Sequence, residues 1–248
     1  MSKTIHGFIL KKVSYLEKDL IVTIFSKEYS KFTAIGIAAK KSKKRNLNLL
    51  DYFNLLKFSI YTKKNYPIPI IERVSLIERI APSIIKPEYL IFIEILNLIV
   101  DFLVYGQEDS HELFNLYIDI LQKAKSETPE NLKNLLTYFK IKALKAIGLQ
   151  INLNKCVICG KSGTFLNYSI EKLGLVCNNC IKNSLELKLG TIKSIEFLEK
   201  KSKNLRFTKD TINDINKIFY INLAHLRDKE KVKQIFKLEK YFEWILKK

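Results

Sequence analysis

Glycine is scarce, with eight residues in 248, and none of them builds a phosphate-binding loop. The chain contains neither a G-x-x-x-x-G-K-[ST] segment nor a G-x-G-x-x-G segment. Nucleotide hydrolysis and dinucleotide-dependent redox chemistry therefore lose their usual cradle. Histidine is equally sparse. His6, His111 and His225 are far apart, and His111-Glu112 lacks the second histidine four positions on that a zinc protease helix requires. Acid pairs such as Glu17/Asp19 are of a kind that any helix-rich protein offers. No uninterrupted apolar run is long enough to span a bilayer: the longest, Tyr89 to Tyr105, is broken by Glu94, Asn97 and Asp101 and reads as a buried helix. The N-terminus has Lys3, a short apolar run from Ile5 to Leu10, then Lys11-Lys12, with no small-residue cleavage site. Lacking a span and an export signal, the chain is expected in the cytoplasm. Internal repeats and low-complexity linkers are also missing.

Cysteine is limited to four residues, but they fall as two pairs, Cys156-Val-Ile-Cys159 and Cys177-Asn-Asn-Cys180. Two residues between cysteines let a tight turn aim both sulfurs at one metal, and two such pairs complete a tetrahedron with Zn–S of about 2.3 Å. Gly160 lets the chain turn away after the first pair. Ser162-Gly163 and Leu173-Gly174 suit turns of a small ribbon between the pairs. Two disulfides would imply export, a redox site needs one pair, and an iron–sulfur cluster uses other spacings. One structural zinc ion is the expectation. Four sulfurs fill its coordination sphere, so the site staples the fold and leaves no position for a reactive water.

Arginine supplies only five of 43 basic residues, yet the net charge is +18. Residues 1–80 carry 16 Lys and Arg against 6 acids, residues 81–155 carry 8 against 9, and residues 156–248 carry 19 against 10. Two basic ends flank a neutral middle, which suits a polyanionic partner such as nucleic acid. An AT-rich genome would also raise lysine, but it would charge every segment alike. The sharpest basic cluster, Lys40, Lys41, Lys43, Lys44 and Arg45, lies between two predicted strands. Mutually repelling charges in a loop make sense facing phosphates. Lys11, Lys12, Lys63 and Lys64 add charge near other strand ends. Phe8, Phe25, Phe32 and Phe58 are interleaved aromatics better suited to the core, whereas Tyr15 and Tyr61, near strand ends, are candidates for stacking on bases. In the tail, Lys200-Lys201-Ser202-Lys203 is a further basic stretch. Lys229, Lys233, Phe236, Lys237 and Lys240 combine charge with apolar surface, which suits either a solvated helix face or a groove for an acidic, aromatic-ended peptide.

The first 80 residues predict five strands, Ile5–Val13, Leu20–Ser26, Lys31–Ile37, Asn54–Thr62 and Pro69–Ile77, separated by short polar links. Five short strands are better closed into a barrel than left open, with another small β barrel, such as an SH3-like one, as the alternative to the leading type. The expected class is α+β: an N-terminal five-stranded barrel of the oligonucleotide/oligosaccharide-binding (OB) type, followed by an all-helical domain with an inserted four-cysteine zinc ribbon. The divisions are 1–80 for the DNA-binding barrel, 81–150 and 186–248 for the two parts of the helical domain, and 151–185 for the ribbon. Helices are predicted over Pro87–Tyr105, Ser110–Ala124, from Thr128 as N-cap to Ile147 before Gly148, and over Thr191–Lys200, Thr208–Leu223 and Lys229–Lys247, the last capped by Asp228.

With these parts in this order, the chain resembles the bacterial recombination mediator RecO family. Tyr15-Leu16-Glu17-Lys18-Asp19, then Phe25, Glu28 and Lys31, look like the family's first hairpins. Ala38-Ala39-Lys40-Lys41-Ser42-Lys43 looks like its basic loop, with Lys where Arg is common. Phe53-Asn54-Leu55-Leu56 is similar to the next strand, although Asp51-Tyr52 departs from the expected Gln-Pro. Leu153-Asn154-Lys155-Cys156-Val157-Ile158-Cys159-Gly160 and Gly174-Leu175-Val176-Cys177-Asn178-Asn179-Cys180 match the ribbon edges most specifically. Beyond about residue 190 the match is one of character only.

The resemblance implies an OB barrel, binding to single- and double-stranded DNA and annealing of complementary strands. It also implies cooperation with the partner RecR, loading of RecA onto DNA coated with single-strand binding protein, contact with that protein's C-terminal tail, and a nucleoid-associated cytoplasmic location. No enzymatic activity is expected. From the residues alone, a zinc-containing nucleic-acid-processing enzyme (a nuclease or an RNA-modifying protein) and a ribosome- or transcription-associated scaffold remain competing readings.

Overall fold

A computed structural model describes residues 2–40, 47–64, 67–80, 82, 85–105, 110–200, 206–226 and 228–247. The chain forms two compact units, Met1–Ser126 and Glu127–Lys248.

The first unit begins with five strands, β1 (Ser2–Tyr15), β2 (Asp19–Ser26), β3 (Ser30–Gly36), β4 (Asn54–Tyr61) and β5 (Ile70–Arg79). They close into a barrel of order β1-β2-β3-β5-β4, the OB-type arrangement. β1 is the strand that makes closure possible. Its first half, Ser2–Gly7, pairs with Tyr61–Leu56, and its second half pairs with β2 from Gly7↔Ser26 to Tyr15↔Asp19. A strand shared by two partners must coil sharply. β1 does so at Gly7 and at a bulge between Ile9 and Lys11. A Cβ at Gly7 would lie 2.4 Å from the Phe25 carbonyl oxygen, so no larger residue fits there without backbone movement. Closure is completed by the parallel contact Ile35↔Ile70, where the Ile35 amide donates to the Pro69 carbonyl at 2.9 Å.

Alternation along the strands places Ile5, Ile9, Val22, Ile24, Leu56, Phe58, Ile71 and Val74 inside the barrel, with Leu47 and Leu50 packed against them. The opposite face of β1 and β2 is also buried. Phe8 and Phe25 pack against Phe114 and Tyr117 of α2 (His111–Ala124), with ring centroids 5.1–5.9 Å apart. Each buried aromatic contributes about 1.5–3 kcal/mol by removal from water, and such edge-on pairs add about 0.5–1.5 kcal/mol. α1 (Pro87–Leu103) fastens the same unit. Lys31 on β3 pairs with Asp101 at 3.0 Å, and the Tyr89 hydroxyl donates to the Ile80 carbonyl at 2.9 Å. Tyr117 donates to the buried Asn97 amide oxygen at 2.5 Å. No helix among the described residues is long and apolar enough to cross a membrane.

The second unit starts with α3 (Pro129–Ala146), where the Thr128 hydroxyl accepts from the Asn131 amide. It ends as Gly148 takes φ +80°, a left-handed turn that glycine adopts without strain. A three-stranded ribbon follows, β6 (Asn167–Ser169), β7 (Gly174–Val176) and β8 (Ser184–Glu186), in order β7-β6-β8. Three helices complete the chain: α4 (Leu189–Lys200), α5 (Lys209–Leu226) and α6 (Lys229–Ile245). The ribbon is bolted to α5 by the buried Tyr168, whose hydroxyl accepts from Asn222 at 2.8 Å. Asp214 of α5 accepts from the Lys188 amide and the Thr191 hydroxyl at 2.9 and 2.8 Å, holding the first turn of α4.

Lys140 of α3 is buried, with 1 % of its side chain exposed, and pairs with Glu239 of α6 at 2.6 Å. It also donates to Asn216 of α5 at 2.6 Å and lies over the Phe219 and Tyr220 rings. Burial lowers the Lys140 ammonium, and the Glu239 carboxylate opposes that shift.

Candidate metal centre and nucleic-acid interface

The four sulfurs of Cys156, Cys159, Cys177 and Cys180 lie within 4.8 Å of one another. Local hydrogen bonds shape both knuckles. The Cys156 amide donates to Lys161, the Gly160 amide returns to Cys156, and the Cys180 amide donates to Cys177, each at 2.9 Å. Gly160 takes φ +72°, which turns the chain back toward the Lys155↔Ser162 bridge. The Val157 amide donates to the Leu175 carbonyl at 2.9 Å, tying the first knuckle to β7. A Cβ at Gly174 would sit 2.3 Å from Val157 Cγ1, so the close approach of the knuckle requires glycine there.

Cys159 and Cys177 sulfurs are 3.7 Å apart. A tetrahedron with metal–sulfur bonds of about 2.3 Å has edges of about 3.8 Å, so the sulfurs fit a four-coordinate metal. The charges fit as well. Burial acts to raise the Cys156 thiol, but backbone hydrogen bonds from Cys159, Cys177 and Ile158 outweigh it and hold the group at about 6. Cys180 is pushed up to about 12 by hydrogen bonding to Cys177 and by burial. Four thiolates this close need a cation to be charged together, and these residues could hold one.

The basic and aromatic residues singled out on the barrel divide between its two ends. At one end, Tyr15 closes β1 at the β1–β2 turn, half-exposed beside Leu16, whose φ is +50°. The start of the basic loop is tied to this turn, because the Ala38 amide donates to Asp19 at 2.8 Å and the Lys40 amide to the Lys18 carbonyl at 3.1 Å. Lys40 and Lys11 are exposed. Lys41, Lys43, Lys44 and Arg45 lie outside the described residues, as does the stretch Lys201–Lys203. Lys12 is engaged internally: it pairs with Asp51 at 3.1 Å, donates to the Leu50 carbonyl and covers the Tyr52 ring.

Tyr61, Lys63 and Lys64 belong to the other end, where Tyr61 pairs with Ser2 at the start of β1. Tyr61 lines a pocket of about 240 Å³ with Lys3, Ile5, Tyr29 and Phe32. Lys3 sits 5.1 Å from the Tyr29 ring centroid, and Tyr29 packs edge-on to Phe32. The alternation of β1 and β4 carried no indication that Lys3 and Tyr29 would join Tyr61. That grouping follows from β1 pairing with β4, a contact between residues far apart in sequence.

On α6, Phe236, Lys233 and Lys240 line a groove of about 730 Å³ shared with α5 and the ribbon. Lys229 and Lys237 are exposed but do not line it. Phe236 meets Tyr220 edge-on at 5.2 Å, and Lys240 lies over the Phe236 ring at 4.8 Å. Lys217 adds a third cation to the lining. The acids there are already neutralised, Glu239 by Lys140 and Glu243 by Lys133 at 3.0 Å. Tyr220 Oη and Glu239 Oε1 lie buried with no hydrogen-bond partner among the described residues, leaving hydrogen-bonding capacity at the groove floor. Lys217 and Tyr220 fall on one face of α5, and their spacing of three would have pointed to them.

The sequence was compared with known proteins. The family description "Recombination protein O N terminal" matches residues 1–80 and "Recombination protein O C terminal" matches residues 87–225. A "DNA repair protein RecO" of Syntrophus aciditrophicus is 29 % identical over 240 residues, covering 90 % of each chain. The protein of that name from Clostridium novyi is 28 % identical over 86 % of this chain and 83 % of its own. The one from Mesoplasma florum is 28 % identical over 82 % and 76 %. With its closed five-stranded barrel and its four-cysteine ribbon both inside the matched regions, the chain belongs to the recombination protein O (RecO) family of DNA repair proteins.

Proposed function

We propose that this protein is a recombination mediator that binds single- and double-stranded DNA, anneals complementary strands and, with RecR, helps load RecA onto DNA coated with single-strand binding protein. One observation carries the reading: a closed OB-type barrel, with exposed lysines and the tyrosines Tyr15 and Tyr61 at its ends, opens a chain of the RecO family. Residues 1–80 act as the DNA-binding domain. Residues 151–185 are the ribbon, and segments 81–150 and 186–248 supply the helices, of which α1 and α2 belong to the barrel's unit. Lys11, Lys40, Lys41, Lys43, Lys44, Arg45, Lys63 and Lys64 meet phosphates, Lys12 adds charge from a half-buried position, and Tyr15 and Tyr61 stack on bases. Lysine in place of arginine keeps the charge and gives up bidentate contacts, so the barrel senses phosphate density more than geometry.

The four cysteines hold one structural zinc ion. Structural zinc is worth about 10–16 kcal/mol in small peptides, as much as the whole stability of a typical domain at about 5–15 kcal/mol. The α5–α6 groove takes the acidic, aromatic-ended tail of single-strand binding protein. Lys217, Lys233 and Lys240 face its carboxylates, and Phe236 and Tyr220 receive its aromatic residue. Lys229 and Lys237 add to the positive field around it. The protein works in the nucleoid.

DNA binding followed over a range of salt concentrations tests the reading. Replacing Lys40, Lys41, Lys43, Lys44 and Arg45 by Ala removes five phosphate contacts and should flatten the log–log salt slope by about 3.5–4.5. An unchanged slope removes this loop from the interface. Reproducible cleavage or modification of labelled DNA or RNA by the metal-loaded protein with Mg2+ would replace the mediator reading by an enzymatic one.

A further inference from the structure

The chain has a single tryptophan, and it lies on the surface: Trp244 of α6 is 50 % exposed. Tyr241, three residues earlier, is also 50 % exposed. Their rings form an offset stack, with centroids 5.6 Å apart and planes at 21°. Large aromatics carry the greatest gain from burial, so an exposed stacked pair marks a contact surface more often than a neutral one. α6 begins beyond residue 225, where the C-terminal family match ends.

The charge around the pair is positive. Lys237 lies one turn before Tyr241, Lys240 one turn before Trp244, and Lys247 follows; all three are exposed. The carboxylates of α6 are occupied elsewhere. Glu230 pairs with Lys233 at 2.7 Å, Glu239 with Lys140 at 2.6 Å and Glu243 with Lys133 at 3.0 Å. This face adjoins the α5–α6 groove along Lys240, which lines the groove, whereas Lys237, Tyr241 and Trp244 do not. A peptide side chain seeks a concave pocket, and the groove supplies one. An exposed aromatic stack that a base can extend, flanked by lysines, matches a base and its phosphates instead. Stacking onto it requires a base whose face is free, which a single strand offers and a duplex does not.

We propose that Lys237, Lys240, Tyr241, Trp244 and Lys247 form a second nucleic-acid site, on the outward face of α6, that binds single-stranded DNA by stacking bases on the Tyr241–Trp244 pair. The site rests on the reading of the protein as a DNA-binding mediator and adds to it a contact outside the barrel.

Trp244 reports on the site directly, because no other tryptophan contributes to the emission. The full-length protein is titrated with an oligothymidylate while tryptophan fluorescence and the anisotropy of labelled DNA are followed together. The expected result is quenching of Trp244 that shifts to higher DNA concentration as salt rises and that persists when the 40–45 loop is replaced by alanines. Tyr241→Ala should shift the quenching midpoint by about tenfold, the scale of one lost base stack. Lys237→Glu, which leaves both rings in place, should shift it in the same direction and serves if Tyr241→Ala fails to fold. Rising anisotropy with unchanged Trp244 emission overturns the site and leaves the DNA-binding reading standing. No rise in anisotropy removes both. Emission that responds to an acidic aromatic-ended peptide but not to DNA assigns the face to a protein partner and overturns the proposal.

Discussion

Lys140 and Glu239 show how a charged helix residue can be buried with nothing local in the sequence to mark it. Lys140 falls in a helix whose pattern is plain, but its partner is 99 positions away, so nothing local marks it as buried. Removing one member of a buried pair leaves the other charge uncompensated. Lys140→Met should therefore destabilise the second unit by about 3–5 kcal/mol in urea or thermal unfolding, and adding Glu239→Leu should recover much of the loss. Equal stability of the single variant and the parent would show that the pair contributes nothing. The cysteines are the opposite case. Their spacing alone located the cluster, because each knuckle is local and its two-residue gap is a pattern visible in sequence. Cys156→Ser or Cys177→Ser should release the metal, unfold the ribbon locally and lower the melting temperature, while salt-dependent DNA binding by the barrel persists. Elemental analysis of the reduced protein, with one zinc per chain expected, checks the metal.

At the scale of elements, alternation and capping made most of the boundaries legible. β4 begins at Asn54 as its pattern implies, and Asp228 caps α6 through a bond to the Lys231 amide at 3.1 Å. β1 extends beyond its apolar run to Ser2 and Tyr15, because its flanking polar residues pair with β4 and β2. Alternation could not show what lies outside the barrel. Phe8 and Phe25 are as buried as the residues facing inward, since α2 covers them, and a two-residue period does not distinguish the two faces. For the same reason the DNA candidates Tyr15 and Tyr61 read as one set, although Tyr15 ends β1 and Tyr61, on β4, pairs with its start. The α5–α6 groove was half legible. Phe236 and its lysines stood out, while Lys217 and Tyr220 enter through a packing contact between helices. Phe236→Ala and Lys233→Glu should each weaken binding of an acidic, aromatic-ended peptide by about tenfold, measured by anisotropy of the labelled peptide. Unchanged affinity in both would move that ligand to another surface.

At the scale of the whole molecule, charge and architecture point the same way. The +18 net charge sits at the two ends of the sequence, the barrel and the C-terminal helices, with a four-cysteine ribbon between the helical segments. A protein built this way can hold strands by charge and stacking without bond-making chemistry, and electrostatic attraction also raises the rate at which two strands meet on it. The central claim is that binding alone promotes annealing of complementary strands coated with single-strand binding protein. Annealing of complementary oligonucleotides coated with single-strand binding protein tests it most directly, with intact and tail-truncated coating protein compared and no nucleotide added. Acceleration by the parent protein is predicted, weakened by alanine at Lys40, Lys41, Lys43, Lys44 and Arg45 and by loss of the tail. Absence of acceleration on either substrate, or a requirement for hydrolysed nucleotide, would contradict the account.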